Sequence, residues 1–273
     1  MALVLPADPP RAAVLLLHGS SGQPDLNRAR LLAKHGAAVL APRWFGGPGQ
    51  SVGICEIPLE RFVSAVGQLR QQYPGVPVGV VGVSKGAEAA LLTAAADDRI
   101  AGVVAMAPTS VAWANVGPGL DGITYPYRSS WSWRHSAVPF VPYDEEWSSD
   151  GVALPIAYRG QYERSLVTHA DRVADAAIAV ERIQGPVLLI GGGDDQLWPT
   201  TLFAEQIRRR RAAYGLPTGI VIEDEAGHRA ILPGEAPKPA NARIAHGGTA
   251  AADERLGSAA WPHVLETLGL AAQ

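Results

Sequence analysis

Short, almost wholly apolar runs alternate along the chain with stretches whose apolar residues recur at helical spacing. Residues 12–19 (AAVLLLHG) read as a buried strand ending in a glycine turn. Residues 25–35 carry Leu31 and Leu32 in a helical setting, and Gly36 stops the helix. A strand over 37–42 follows. A helix over 59–73 places Phe62, Val63, Val66 and Leu69 on one face before Pro74. Residues 76–84 (VPVGVVGVS) are a strand, 86–96 an alanine-rich helix, and 100–108 another strand.

The alternation then stops. About residues 109–160 are rich in Pro, Gly, Ser and aromatics, and Trp113, Trp131, Trp133 and Trp147 fall within them. Regular alternation resumes with a helix near 172–183. The strand in PVLLIGGGDD, a helix over 200–214, the strand GIVIED and a final helix near 258–268 complete the pattern. Strands apolar on both faces belong to parallel sheets covered by helices. The pattern therefore predicts one α/β domain with a mostly parallel sheet, helices on both faces and an aromatic-rich lid inserted at about 109–160. A loop of that length is generally functional. Its tryptophans either wall a substrate pocket, with Trp113, Trp131 and Trp133 as candidates, or pack the lid onto the body.

Composition narrows the function. The 273 residues are 47% hydrophobic and 18% charged, which excludes global disorder. A net charge of −3 gives no electrostatic reason to expect nucleic acid or a membrane surface as partner. The single cysteine, Cys55, excludes an intramolecular disulfide and argues against a cysteine-based zinc site. With no signal-like N-terminus and no long apolar span, the expected location is cytoplasmic.

The chemistry concentrates at Gly82-Val83-Ser84-Lys85-Gly86. This is G-x-S-x-G between a strand and a helix, the context in which it forms a sharp turn presenting the serine above the sheet edge. The helix start behind it offers free N–H groups to developing negative charge. Glu88, one turn on, reads as a favourable charge at that helix N-terminus. In such hydrolases the acid and then the histidine follow the serine in the chain. Asp194 and Asp195 both end the strand PVLLIGGG; the turn Asp195-Gln196-Leu197-Trp198-Pro199 favours Asp195, leaving Asp194 to cap the turn. His228, just after GIVIED, is the expected base, with His246 and His263 as rivals. The oxyanion hole would use the backbone N–H groups of Lys85 and Ser20, with Ser21 next. No metal-ligand spacing and no phosphate loop occurs, and the mechanism needs no cofactor.

With these residues in place, the chain resembles the C-terminal catalytic domain of the acyl-CoA thioester hydrolase / bile acid-CoA:amino acid N-acyltransferase family, over about residues 13–268. GVVGVSKGAEAALLTAA, EIPLERFVSAVGQL, PVLLIGGGDDQLWPT and EDEAGH carry the resemblance. It implies the α/β-hydrolase fold, related to dienelactone hydrolases, and a triad of Ser84, Asp195 and His228. The amino acid-conjugating members have cysteine where Ser84 stands, so the serine resembles the hydrolytic branch. The expected substrate is a small-molecule acyl thioester, on CoA or on an acyl carrier protein. A carboxylester or lactone, or transfer to an amine or alcohol, is the alternative, and a non-catalytic binding protein the most remote one.

Overall fold

The computed structural model describes residues 2–271. Seven strands form the central sheet: β1 (Ala2–Val4), β2 (Ala12–Leu17), β3 (Ala37–Ala41), β5 (Val78–Val83), β6 (Gly102–Met106), β9 (Val187–Gly192) and β10 (Gly219–Glu223). Their order is β1-β3-β2-β5-β6-β9-β10. All neighbours run parallel except β1, which adds antiparallel to β3.

Valine- and leucine-rich sequence makes these strands because branched side chains suit a pleat covered on both faces. In β5, Val80 packs into the core cluster on one face and Val81 into that on the other. The first cluster lies under α2 (Glu60–Gln72), α3 (Lys85–Ala96) and α6 (Thr200–Ala212). The second lies under α1 (Leu26–Lys34) and α7 (Ala250–Thr267). Because the six inner strands run parallel, every loop that leaves a strand towards chemistry leaves from the same edge of the sheet.

Two elements differ from the sequence pattern. In place of one helix near 172–183 there are α4 (Arg159–Thr168) and α5 (Ala170–Ala176). The chain leaves the helical conformation at Ala177 because Ile178 N–H donates to the Ser110 carbonyl (2.9 Å) and Ala112 N–H to that of Ala176 (2.8 Å). Pairing with the inserted segment overrides the helical propensity of this stretch. The final helix starts at Ala250, well before residue 258, because the Thr249 hydroxyl accepts from Ala252 N–H at 3.2 Å and caps it.

The inserted segment is largely irregular. Its β7 (Trp131–Trp133) pairs with β4 (Ile57–Pro58) and β8 (Ser136–Ala137) in a small three-stranded sheet of order β4-β7-β8. Trp113, Tyr143, Tyr162, Trp198 and Phe203 form a third apolar cluster between the insertion and the body.

Candidate active site

Ser84 stands between β5 and α3 with φ 56° and ψ −123°. This left-handed conformation is costly for a residue with a side chain, roughly 1–3 kcal/mol, and is kept only where the surroundings dictate it. The two flanking glycines are those surroundings. A Cβ on Gly82 would lie 2.1 Å from the Gly86 carbonyl oxygen, and one on Gly86 would lie 2.3 Å from that of Leu17. The turn can therefore be this tight only with glycine at both positions. Ser84 N–H is anchored to the Met106 carbonyl at 2.9 Å.

Asp195 follows β9 and is fully buried. Its Oδ1 accepts from the N–H groups of Leu197 (2.8 Å) and Trp198 (3.2 Å). Its Oδ2 accepts from the Thr200 hydroxyl and lies 2.7 Å from His228 Nδ1. An acceptor-only carboxylate fixes the tautomer: His228 carries its proton on Nδ1 and leaves Nε2 as a lone pair. That Nε2 is buried and without a partner among the described residues. Ser84 and His228 are both buried, at 7% and 6% exposure, on the same sheet edge, with no hydrogen bond closed between them. Loose contact of this kind is usual before substrate is bound.

Asp194 faces elsewhere. Its Oδ2 accepts from Gly248 N–H at 2.8 Å and its Oδ1 from Gln196 Nε2 at 2.5 Å, so it ties the acid turn to the start of α7. His246, the rival histidine, is committed too. Its backbone carbonyl accepts from His228 N–H (2.8 Å), its Nε2 lies 3.1 Å from an Arg229 guanidinium nitrogen, and its Nδ1 lies 3.1 Å from the Ile244 carbonyl. Arginine can only donate, so His246 is neutral with its proton on Nδ1. Burial and the nearby Arg229 and His228 push its pKa down to about 4. His263 is exposed on α7, beside Glu266.

Among the described residues, neither Lys85 N–H nor Ser20 N–H has an acceptor. Gly19 brings the β2 loop against the elbow: a Cβ there would lie 3.3 Å from that of Ser84. His18 stacks on Trp44 with centroids 5.0 Å apart, and its Nδ1 lies 2.7 Å from the Gly19 carbonyl. Burial lowers its pKa, which leaves it a neutral support of this turn.

A cavity of about 840 Å³ opens beside these groups. It touches His18, Gly19, Val83 and Met106 on the sheet edge and is closed opposite by the 229–249 segment. From residues 109–158 only Pro155 reaches it. The expected pocket walls Trp113 and Trp131 are instead fully buried. Trp113 donates its indole N–H to the Thr109 hydroxyl (2.8 Å), and Trp131 donates to Glu88 Oε1 (2.6 Å). Trp133 packs on the core and under the Arg134 guanidinium. Buried aromatics with a satisfied N–H are packing elements, so the substrate-wall expectation for these three is corrected.

The sequence pattern missed Glu88, which is not a solvated helix-end charge. It is fully buried, and its Oε1 also accepts from Trp113 N–H at 2.9 Å. Thr200 and Arg229 were missed as well; a polar residue opening the helix after the acid, and a cation beside the base, were the available signals. Among the described residues no group of three or more His, Cys, Asp or Glu side chains is arranged to hold a metal ion.

A parallel sheet with a strained serine at the end of one strand, a buried acid after the next but one and a histidine after the last defines the α/β-hydrolase fold. The chain belongs to the family described as BAAT / acyl-CoA thioester hydrolase C terminal, whose model matches residues 57–268. It is 28% identical over 262 residues to mouse acyl-coenzyme A thioesterase 6, covering 92% of this chain and 58% of that one. It is 29% identical over 230 residues to mouse acyl-coenzyme A amino acid N-acyltransferase 2, covering 82% and 50%. The chain thus spans about half the length of these relatives. A Klebsiella pneumoniae structure assigned as a dienelactone hydrolase aligns with a TM-score of 0.54 at 14% identity, over 96% of this chain and 88% of its own, which shows the shared fold.

Proposed function

We propose that this protein is a serine hydrolase that cleaves acyl thioesters, with acyl-CoA as the first substrate class and an acyl carrier protein as the second. The observation that carries the reading is the buried Asp195–His228 hydrogen bond of 2.7 Å with an unpartnered Nε2, on the edge where Ser84 is held in its strained turn. His228 Nε2 takes the Ser84 proton as Oγ attacks the carbonyl carbon, and the electron pair moves to the carbonyl oxygen. Backbone N–H groups of Lys85 and Ser20 receive that oxyanion. Collapse expels the thiolate, which takes the proton from His228. Water then enters and attacks the acyl carbon as it gives a proton to His228; collapse breaks the bond to Ser84 Oγ, which takes that proton back from His228, and the acid is released. Asp195 holds the imidazole in the right tautomer and offsets its charge while protonated.

Kinship with the thioester hydrolases and serine at position 84 support hydrolysis over transfer. The N-acyltransferase relative makes transfer to an amine the second reading. Incubation with acyl-CoAs and aryl esters, with and without amino acid acceptors, separates them. Free CoA and free acid are expected, with no conjugate. Covalent labelling by a fluorophosphonate that is lost in Ser84→Ala identifies the nucleophile; an unlabelled wild type overturns the mechanism.

A further inference from the structure

The central sheet has two edges, and they differ. β1 is three residues long and is followed two residues on by Pro6, which cannot donate to a ladder. β10 (GIVIE) is five residues long and three of them are β-branched, with no proline, lysine or bulge to blunt it. It pairs with β9 on one side, and among the described residues no other strand pairs with its outer edge. An apolar edge left open in this way is a template for another strand. Ile220, Val221 and Ile222 are half-buried, and Tyr214, in the turn that leads into the strand, is 65% exposed.

The two ends of this edge carry opposite charge. The end of α6 that feeds β10 holds Arg208, Arg209, Arg210 and Arg211, and its ion pairs reach only Glu205 and Glu181, which leaves two positive charges in excess. Arg211 is fully buried and spends its donors on carbonyls and on the Thr218 hydroxyl, so its charge is uncompensated there. At the far end Glu223, Asp224 and Glu225 share Arg255 alone, which leaves two negative charges in excess. An edge that is positive at its start and negative at its finish is complementary to itself when reversed.

We propose that β10 is the seam of a homodimer, in which the strands of two copies pair antiparallel about a two-fold axis through Val221 and join the two sheets into one. In that register Val221 meets Val221 of the second copy, and Ile220 meets Ile222. Glu225 of each copy comes opposite Pro217 of the other, whose carbonyl Arg211 holds at 3.1 Å. β10 leads directly into the loop that bears His228, so the seam runs beside the loop carrying the base.

Light scattering coupled to size-exclusion chromatography at about 50 μM should give the mass of two chains, and sedimentation over a dilution series gives the Kd. Asp224 and Glu225 are both exposed. Reversing both, in Asp224→Arg/Glu225→Arg, should weaken the dimer at least about 10-fold, because like charges then meet at both ends of the seam. Cross-linking reads the register. Opposed Cα atoms in an antiparallel pair stand about 4.5–5.5 Å apart, within reach of a disulfide. Val221→Cys should therefore form a disulfide-linked dimer under mild oxidation, and Ile220→Cys should link to Ile222→Cys when the two are mixed. Cys55 is buried, so it does not compete. A monomer at 50 μM overturns the proposal. So does a dimer that neither the Val221→Cys nor the mixed pair cross-links, or one whose Kd is unchanged by the charge reversal.

Discussion

Lys85 and Glu88 form an ion pair of 2.7 Å with both side chains sealed from solvent, one helical turn behind the serine elbow. Burial lowers the Lys85 pKa, and Glu88 works against that shift. The second oxygen of Glu88 grips the insertion through Trp113 N–H and the Trp131 indole. One carboxylate therefore fastens two stretches of the insertion to the helix that carries Ser84. Removing one member of a buried pair typically costs 3–5 kcal/mol, because the other is left charged and alone. Glu88→Ala should lower unfolding stability by about that amount in urea titrations. A change within about 1 kcal/mol would show that water or another group replaces the carboxylate.

Ser84→Ala should leave the fold intact and reduce turnover by up to about 10⁶-fold, the scale set by removing the nucleophile of a comparable triad. The substitution also places an uncharged methyl at φ 56°, so the backbone strain persists and stability should barely change. Turnover and circular dichroism on one preparation check both halves. Retention of more than about a tenth of wild-type activity sinks the serine mechanism.

The two neighbouring acids should separate cleanly. Asp195→Asn puts an amide against His228 Nδ1 and should cost roughly 10²–10⁴ in kcat. Asp194→Asn loosens only the link to Gly248 and should cost far less. Parallel kinetics of the two variants decide it, and the reverse ranking would move the acid's role to Asp194.

Trp131→Ala should behave as a core deletion, losing about 3–5 kcal/mol. Its activity on short and long acyl thioesters should fall in the same proportion, because neither Trp113 nor Trp131 lines the cavity. A shifted chain-length preference with unchanged stability would restore these tryptophans as pocket walls.

His246 gives the protein a pH dependence of known sign. Its folded pKa of about 4 lies below the unfolded value of 6.5. The unfolded chain therefore takes up the proton first as pH falls. The contribution is whole above pH 6.5 and eroded between about 6.5 and 4. Arg229 and His228 face the ring and oppose its charge, while Asp195 favours it. His246→Gln, which keeps an acceptor for Arg229, should lose less stability between pH 7 and pH 5 than wild type does in urea unfolding. Equal losses would discharge His246 from this role.

Most of the sheet was legible because a strand buried on both faces must be apolar throughout, as residues 12–17 and 187–190 are. The elbow was legible because its glycines are demanded sterically. The insertion was not. Its contacts are made between residues distant in sequence, such as Glu88 with Trp131, and no local period records them. An aromatic-rich loop reads the same whether its rings face a ligand or a carboxylate beneath them.

The loop bearing His228 is packed backbone against backbone. A Cβ on Gly227 would fall 2.2 Å from the Gly247 carbonyl oxygen, and one on Gly248 would fall 2.1 Å from the Gly227 nitrogen. Gly227 N–H also donates to Asp253 at 2.8 Å. The histidine loop, the 246–249 segment and the start of α7 are therefore a single transplantable cassette. Anyone grafting a new substrate wall from a relative would have to move all three together. An exchange confined to the segment between Arg229 and Ile244 could redraw the cavity and leave the base where it stands.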